Sequence, residues 1–296
     1  MLIKCNFNPD LILGVFPHLG VLASWRLGGL ISSTPLVYNH PMPTRQINGA
    51  EIHFSENGAG VPLVLVHGFP LDQRVWRNQL GDLANTCRVI APDLRGFGKS
   101  PPSGPFTIES LADDLHELLH ELSALPCILG GLSMGGYVSL AFAKKYLPEL
   151  RGLILTDTRA AADTPQGREG RNAMIELART RGSAAVAEQM LPKSIADPAF
   201  APLARQIMEA CPAQTVQFAL AAMRDRSDYT DFLPMISTPT LIIVGESDAI
   251  TTPSMAETMR DAIPGATLAI IPGAGHLSPL ERPAEVSAAI RRFVMG

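Results

Sequence analysis

Short apolar runs recur along the chain, separated by longer segments whose apolar positions repeat at helical spacing. Runs of strand length that lack polar alternation are typical of parallel strands buried on both faces of a sheet. They occupy residues 62–66, 88–91, 126–129, 152–157, 240–244 and 267–271. Because helical segments alternate with these runs, the pattern predicts an α/β fold with a doubly wound, mostly parallel sheet.

The alternation lapses once, between residue 159 and about residue 233, where every pattern is helical. A helical block inserted between two β-α units predicts a helical lid over the carboxyl ends of the strands. Before the first parallel strand, Asn48-Gly49 separates two short segments and indicates a β-hairpin with a type I′ turn. We therefore predict one α/β domain over residues 44–296, preceded by an extension, residues 1–43, whose role the sequence does not indicate.

The extension contains an apolar stretch, residues 11–31, that a proline, a histidine and an arginine interrupt. These interruptions argue against a stable membrane span. A secretory signal would need a basic start and a small-residue cleavage site, and neither is evident. The sequence thus favours a cytoplasmic location, although the extension leaves secretion or membrane association open.

Charge and cysteine content narrow the possible partners. A formal net charge of −4 leaves no basic surface for nucleic acid, so a nucleic-acid partner is not expected. The four cysteines have no paired spacing, which argues against a disulfide framework and fits a reducing compartment. The composition does not predict an oligomeric state.

The segment after residue 129 carries the clearest catalytic signal. Gly131-x-Ser133-x-Gly135 lies between a predicted strand and a predicted helix, which is the context of the nucleophile elbow. The two glycines allow the sharp turn that lifts the serine hydroxyl above the sheet edge. Amides at the start of the new helix, including that of Met134, are suited to stabilise an oxyanion.

A serine nucleophile needs a base and a third group that orients the base. His276 follows the last predicted core strand, from which its side chain can reach back over the sheet. Asp248 follows the preceding strand, so Ser133, Asp248 and His276 follow one of the chain orders known for Ser-His-Asp triads. Asp157, at the end of the 152–157 strand, is a rival for the role of the acid.

His67-Gly68-Phe69-Pro70 ends the first parallel strand. Gly68 allows close approach to the serine, so the backbone N–H of Phe69 can pair with that of Met134 as an oxyanion hole. An ordinary glycine turn is the alternative.

Together these motifs resemble the α/β-hydrolase superfamily over about residues 44–295, with small carboxylesterases and enol-lactonases as the most similar branch. The resemblance rests on Gly131-x-Ser133-x-Gly135, the 67–70 motif, Asp93-x-Arg95-Gly96-x-Gly98-x-Ser100, Gly245-x-x-Asp248 and Gly275-His276. It implies Ser133 as nucleophile, His276 as base, Asp248 as acid, and Phe69 with Met134 as oxyanion donors. The implied activity is cofactor-free hydrolysis of small to medium esters, with lactonase or perhydrolase activity as alternatives.

One motif points to different chemistry. His116-Glu-x-x-His120 is the zinc signature of metalloproteases and lies on a predicted helix. Both histidines lie nearly opposite that helix's leucine stripe, so we expect a solvated face that includes Asp113, and no metal site. A zinc protease and a non-catalytic small-molecule receptor are therefore remote alternatives.

Overall fold

The apolar runs form strands of one eight-stranded sheet in the computed structural model, which describes residues 43–296. The strands are β1 (Thr44–Ile47), β2 (Ala50–Asn57), β3 (Pro62–Val66), β4 (Arg88–Pro92), β5 (Cys127–Leu132), β6 (Leu150–Thr156), β7 (Thr240–Gly245) and β8 (Thr267–Ile271). Their order is β1-β2-β4-β3-β5-β6-β7-β8, and all pairs from β4 to β8 are parallel. The predicted mostly parallel sheet is confirmed.

The expected hairpin precedes the parallel strands. β1 and β2 pair in antiparallel fashion, and β2 then pairs with β4. Asn48 and Gly49 have φ values of 47° and 77°, the two positive angles that a type I′ turn requires. The extension lies almost wholly outside the described residues, as does its apolar stretch.

Helices cover both faces of the sheet. They are α1 (Arg77–Asp82), α2 (Ile108–Glu121), α3 (Met134–Tyr146), α4 (Pro165–Ser194), α5 (Ala201–Ala210), α6 (Ala213–Asp225), α7 (Pro253–Ala262), α8 (Ser278–Glu281) and α9 (Pro283–Met295). On one face Val64 and Ile242 pack with side chains of α2, α3 and α7. On the other, Leu65 and Ile243 pack with α1 and α9. Burying each such side chain stabilises the fold by about 1.5–3 kcal/mol, which explains the unbroken apolar runs.

The register brings the carboxyl ends of the central strands to one edge. Leu132 of β5 is aligned with Thr156 of β6, and Thr156 is aligned with Ile243 of β7. Gly245 at the end of β7 is aligned with Ile271 at the end of β8. The segments that follow β5, β6, β7 and β8 therefore converge, although they are far apart in the sequence.

The segment between β6 and β7 contains helices and no strand, as the sequence predicts. It comprises α4, α5, α6 and short 3-10 helices, and α4 is broken at Gly182, whose φ is 77°. We refer to residues 159–233 as the insertion. That it acts as a lid stays a prediction.

A buried ion-pair cluster anchors the insertion. The carboxylate of Asp163 accepts hydrogen bonds from Arg159, Arg171 and Arg226. Arg226 is buried, donates to the carbonyls of Met223 and Ala161, and stacks on Tyr137 of α3, with its guanidinium carbon 4.1 Å from the ring centre. The cluster thus ties both ends of the insertion to the helix that follows Ser133.

Replacing Arg226 with alanine should lower the free energy of unfolding by about 3 kcal/mol, because breaking a buried ion pair leaves polar partners without compensation. Asp163 keeps two arginines, which places the loss at the lower end of what such changes cost. Urea denaturation would measure it. The control is Arg179→Ala, which removes an exposed pair with Glu176 and should leave the denaturation midpoint unchanged. Equal midpoints for both variants would contradict the anchoring role.

Candidate active site

Ser133 stands between the end of β5 and the start of α3, in strained backbone geometry. Its φ of 53° and ψ of −111° lie in a region that costs a non-glycine residue of order 1–3 kcal/mol. A Cβ atom on Gly131 would lie 2.1 Å from the carbonyl oxygen of Gly135, and one on Gly135 would lie 2.4 Å from that of Val66. Only glycines permit this turn, which leaves the Ser133 side chain partly exposed at the sheet edge.

The loop after β8 brings His276 to the serine. His276 Nε2 lies 2.9 Å from Ser133 Oγ, and its Nδ1 lies 2.8 Å from Asp248 Oδ2. Asp248 belongs to the turn after β7, so the three side chains lie on segments that follow three separate strands, β5, β7 and β8. His276 and Asp248 are both buried. The structure therefore brings together the three residues that the sequence predicts as the triad.

Further hydrogen bonds hold the Asp248 carboxylate in place. The backbone N–H groups of Ile250 and Thr251 donate to Oδ1 over 2.8 and 2.9 Å, and the Thr251 hydroxyl donates to Oδ2 over 2.6 Å. Burial opposes ionisation, but the bond and charge of His276 and the Thr251 donors together lower the pKa of Asp248. Asp248 is thus a carboxylate at neutral pH.

Thr251 is a site residue that the sequence reasoning missed. Its Oγ1 also lies 3.1 Å from His276 Nδ1, so the hydroxyl stands at the junction of the acid and the imidazole. A threonine three residues after an aspartate is a common turn pattern, which gave the sequence only a weak signal for this contact.

Neighbouring charges increase the basicity of His276. Burial by itself lowers the pKa of the imidazole, but the hydrogen bond to Asp248 and the charges of Asp248, Asp157 and Glu281 outweigh burial and raise the pKa above its usual value. An imidazole with a raised pKa accepts a proton from a hydroxyl more readily.

Asp157, the rival acid, lies at the same edge but outside this chain of hydrogen bonds. Its Oδ1 accepts from the backbone N–H of Gly245, and its Oδ2 accepts from the hydroxyl of Ser278. Within residues 43–296 its carboxylate forms no hydrogen bond with His276. The distances favour Asp248 as the partner of the histidine.

The turn after β3 packs against Ser133. A Cβ atom on Gly68 would lie 3.2 Å from Ser133 Cβ, so a side chain there would crowd the serine. Fully buried His67 donates from Nδ1 to the Gly68 carbonyl over 2.8 Å and accepts at Nε2 from the Leu94 N–H over 3.1 Å. Burial lowers the pKa of His67, which keeps the imidazole neutral and suited to this pair of bonds.

The two predicted oxyanion donors flank the serine. Phe69 follows Gly68 in the turn against Ser133, and Met134 is the first residue of α3. Within the part of the chain that the structure describes, neither backbone N–H has a protein acceptor. Unpaired donors at a helix start and a tight turn suit a developing negative charge.

Comparison with known proteins assigns the family. Residues 63–289 match the model of the alpha/beta hydrolase family. The chain belongs to the alpha/beta hydrolase family. The match includes Ser133, Asp248 and His276.

Proteins similar to this hydrolase include esterases and an enol-lactonase. A thermophilic esterase from Thermogutta terrifontis is 41% identical, covers 86% of this chain and 98% of its own, and superposes with a TM-score of 0.83. An enol-lactonase from Burkholderia xenovorans is 27% identical, covers 86% of this chain and 100% of its own, and gives a TM-score of 0.79. A pimeloyl-[acyl-carrier protein] methyl ester esterase from Neisseria meningitidis is 29% identical over 78% of this chain and 76% of its own.

The H-E-x-x-H motif of this hydrolase lies away from the serine, on the outer part of α2. His120 is exposed, but His116 stacks on Tyr146, with ring centres 3.9 Å apart, and bonds to Glu149 over 3.0 Å. The expectation that both histidines face solvent is therefore right for His120 and holds only in part for His116, because a ring from α3 covers one side of it. Residues 43–296 contain no group of three or more histidine, cysteine or acidic side chains that could hold a metal ion.

No helix of the alpha/beta hydrolase domain within residues 43–296 combines the length and apolar character needed to cross a bilayer.

Proposed function

We propose that this alpha/beta hydrolase is a carboxylesterase-type serine hydrolase that cleaves small to medium carboxylic esters without a cofactor. The observation that carries the proposal is the continuous hydrogen-bond chain from Ser133 Oγ through His276 to Asp248. The link from Ser133 to His276 has the length that proton transfer requires, and the link from His276 to Asp248 has that of a charge-assisted hydrogen bond. Esterases among the relatives that span most of this chain support the same reading.

In the first step His276 Nε2 takes the hydroxyl proton of Ser133 as Oγ attacks the carbonyl carbon of the ester. The carbonyl oxygen becomes an oxyanion, which the backbone N–H groups of Phe69 and Met134 stabilise. Aligned donors of this kind contribute about 3–4 kcal/mol each to transition-state stability. The Asp248 carboxylate holds the imidazole in the tautomer that leaves Nε2 free to accept, and stabilises the imidazolium that forms.

In the second step the imidazolium returns its proton to the leaving alkoxide, and the acyl group remains on Ser133 as an ester. His276 then takes a proton from water, whose oxygen attacks the acyl carbon. Collapse of the second tetrahedral intermediate releases the acid and restores the Ser133 hydroxyl.

We assign the insertion the role of a lid and acyl-binding cover, because the residue that precedes it and the end of its first helix, α4, both contact the site. The hydroxyl of Thr158, immediately before the insertion, donates to the carbonyl of Ser133 over 2.8 Å. At the end of α4, the carbonyl of Ser194 accepts from the N–H of Leu277, next to His276. A movement of the insertion would therefore displace both Ser133 and His276.

A lactone is the second candidate substrate, favoured by the enol-lactonase that this chain covers fully. The same residues would act, and the leaving alkoxide would stay tethered to the acyl group. Perhydrolysis would differ only in that hydrogen peroxide replaces water in the second step.

The first test is hydrolysis of p-nitrophenyl esters of increasing acyl length, alongside γ-lactones, each with and without a chelator. We expect chelator-insensitive hydrolysis with a maximum at a short or medium chain, and labelling of the Ser133 peptide by a fluorophosphonate. Faster turnover of lactones than of any ester would favour the lactonase. Loss of activity with chelator would point to the zinc alternative, and tight binding without turnover of esters or lactones would point to a receptor.

A further inference from the structure

Asp157 occupies an unfavourable position for an aspartate. It follows β6 at the site edge, is fully buried, and has a φ of 44°, in the left-handed region that favours glycine. Its N–H donates to the carbonyl of Ile243 over 2.8 Å, which continues the pairing with β7. A buried, strained residue of this kind is stable only when contacts of its side chain compensate for the cost of burial and strain.

Those contacts join two segments of the site. The N–H of Gly245, three residues before Asp248, donates to Asp157 Oδ1 over 2.8 Å. The hydroxyl and the N–H of Ser278, two residues after His276, donate to Oδ2 over 2.6 and 3.3 Å. One carboxylate thus bridges the strand end that leads to the acid and the loop that carries the base.

The two segments are also packed directly together. A Cβ atom on Gly245 would lie 2.1 Å from the carbonyl oxygen of Gly275, so the backbones touch. The N–H of Ser247 donates to the carbonyl of Ala274 over 2.8 Å. Small movements of one loop would therefore displace the other, and Asp157 ties both to β6.

We propose that Asp157 is a positioning residue, which holds the Asp248 turn and the His276 loop at the spacing that the hydrogen-bond chain requires. The inference rests on the proposed function, because the spacing matters only if His276 acts as the base for Ser133. It also gives the buried carboxylate a role distinct from that of the triad acid.

The charge of Asp157 also affects the protonation of His276. The ionisable groups that face this region are Asp248 on the turn after β7, His276 on the loop after β8, and Glu281 of α8. Burial and the charge of Asp248 raise the pKa of Asp157 to about 7. Asp157 therefore ionises near neutrality, and its negative charge then favours the protonated form of His276. Removing that charge should lower the pKa of His276.

Three variants separate position from charge. Asp157→Asn keeps the shape and removes the charge, and its NH₂ group can donate to the Ser278 hydroxyl, which is able to accept. Asp157→Ala removes both shape and charge, and Ser278→Ala keeps the charge and removes one hydrogen bond to Asp157. For Asp157→Ala we expect kcat to fall about tenfold to a hundredfold with KM unchanged, since small misplacements of catalytic groups have effects of this size. Ser278→Ala should lower kcat by a smaller factor. Asp157→Asn should move the acid limb of the kcat/KM profile to lower pH.

The matched control is Asp93→Asn. Asp93 is also buried and accepts two backbone N–H bonds, from Gln73 and Lys99, but lies outside the two loops. Its replacement should leave the acid limb in place. A kcat within twofold of wild type in both Asp157→Ala and Ser278→Ala would overturn the positioning role, and an unshifted limb in Asp157→Asn would overturn the contribution of charge.

NMR titration of the His276 imidazole in wild type, Asp157→Asn and Ser278→Ala completes the experiment. It reports the imidazole pKa, and the Nδ1 proton signal reports the bond to Asp248, whether or not any ester is cleaved. An altered imidazole in a protein without esterase activity would keep the positioning role and reject the proposed function. An unaltered imidazole in an active esterase would reject the positioning role and keep the proposed function.

Discussion

Ser133→Ala should lose at least about a thousandfold in kcat for the best p-nitrophenyl ester while the protein stays folded. The hydroxyl is the only group within hydrogen-bond distance of His276 Nε2 among the described residues, so its removal leaves the base without a nucleophile to activate. Residual activity would come from water and the oxyanion donors. The variant should also resist labelling by the fluorophosphonate.

Ser139→Ala is the matched control. Ser139 is a buried serine on α3 whose hydroxyl donates to the carbonyl of Gly135, and among the described residues it forms no hydrogen bond with the triad. Its replacement should change stability by about 1 kcal/mol and leave kcat close to wild type. If Ser133→Ala retained more than a tenth of the wild-type rate with an unchanged unfolding midpoint, acyl transfer through Ser133 would be excluded.

Asp248→Asn should lower kcat by about 10⁴-fold without unfolding the site. An amide has nearly the same shape, but its NH₂ group can face His276 Nδ1 and drive the imidazole into the tautomer whose Nε2 carries the proton. That tautomer cannot accept from Ser133. The variant also loses the charge that helps to raise the pKa of His276, so the acid limb of its residual activity should move to lower pH.

Asp157→Asn provides the comparison that separates the two carboxylates. If Asp248 is the triad acid, Asp157→Asn should keep most of its kcat above the acid limb. A loss of about 10⁴-fold in Asp157→Asn, together with a mild effect of Asp248→Asn, would exchange their roles. Steady-state kinetics over a range of pH on both variants decides between them.

The parallel strands could be predicted from sequence because burial on both faces requires unbroken apolar runs, as in β3 and β7. The elbow could be predicted because its glycines are required by close backbone contact. The positions of Asp248 and His276 followed from one rule, that carboxyl ends of parallel strands meet at one edge.

What the sequence could not show depends on loop backbone paths. The bridge from Asp157 to Gly245 and Ser278 spans 88 and 121 residues, and no spacing rule predicts it. The Thr251 contact depends on the turn after β7, and the cover over His116 depends on a ring from another helix. A helical projection describes one helix at a time and omits such neighbours.

The strand order also bears on how the chain gains its reactivity during folding. Ser133 and His276 are 143 residues apart, and the partner of Ser133 belongs to the loop after the outermost strand of the sheet. A folding intermediate that has formed β3, β5 and α3 would hold the strained serine without a base. If Ser133 and His276 act as proposed, such an intermediate would not be acylated by reactive esters until β8 had paired with β7. On that proposal, labelling of Ser133 by a fluorophosphonate would measure the fraction of chains in which the last strand has formed.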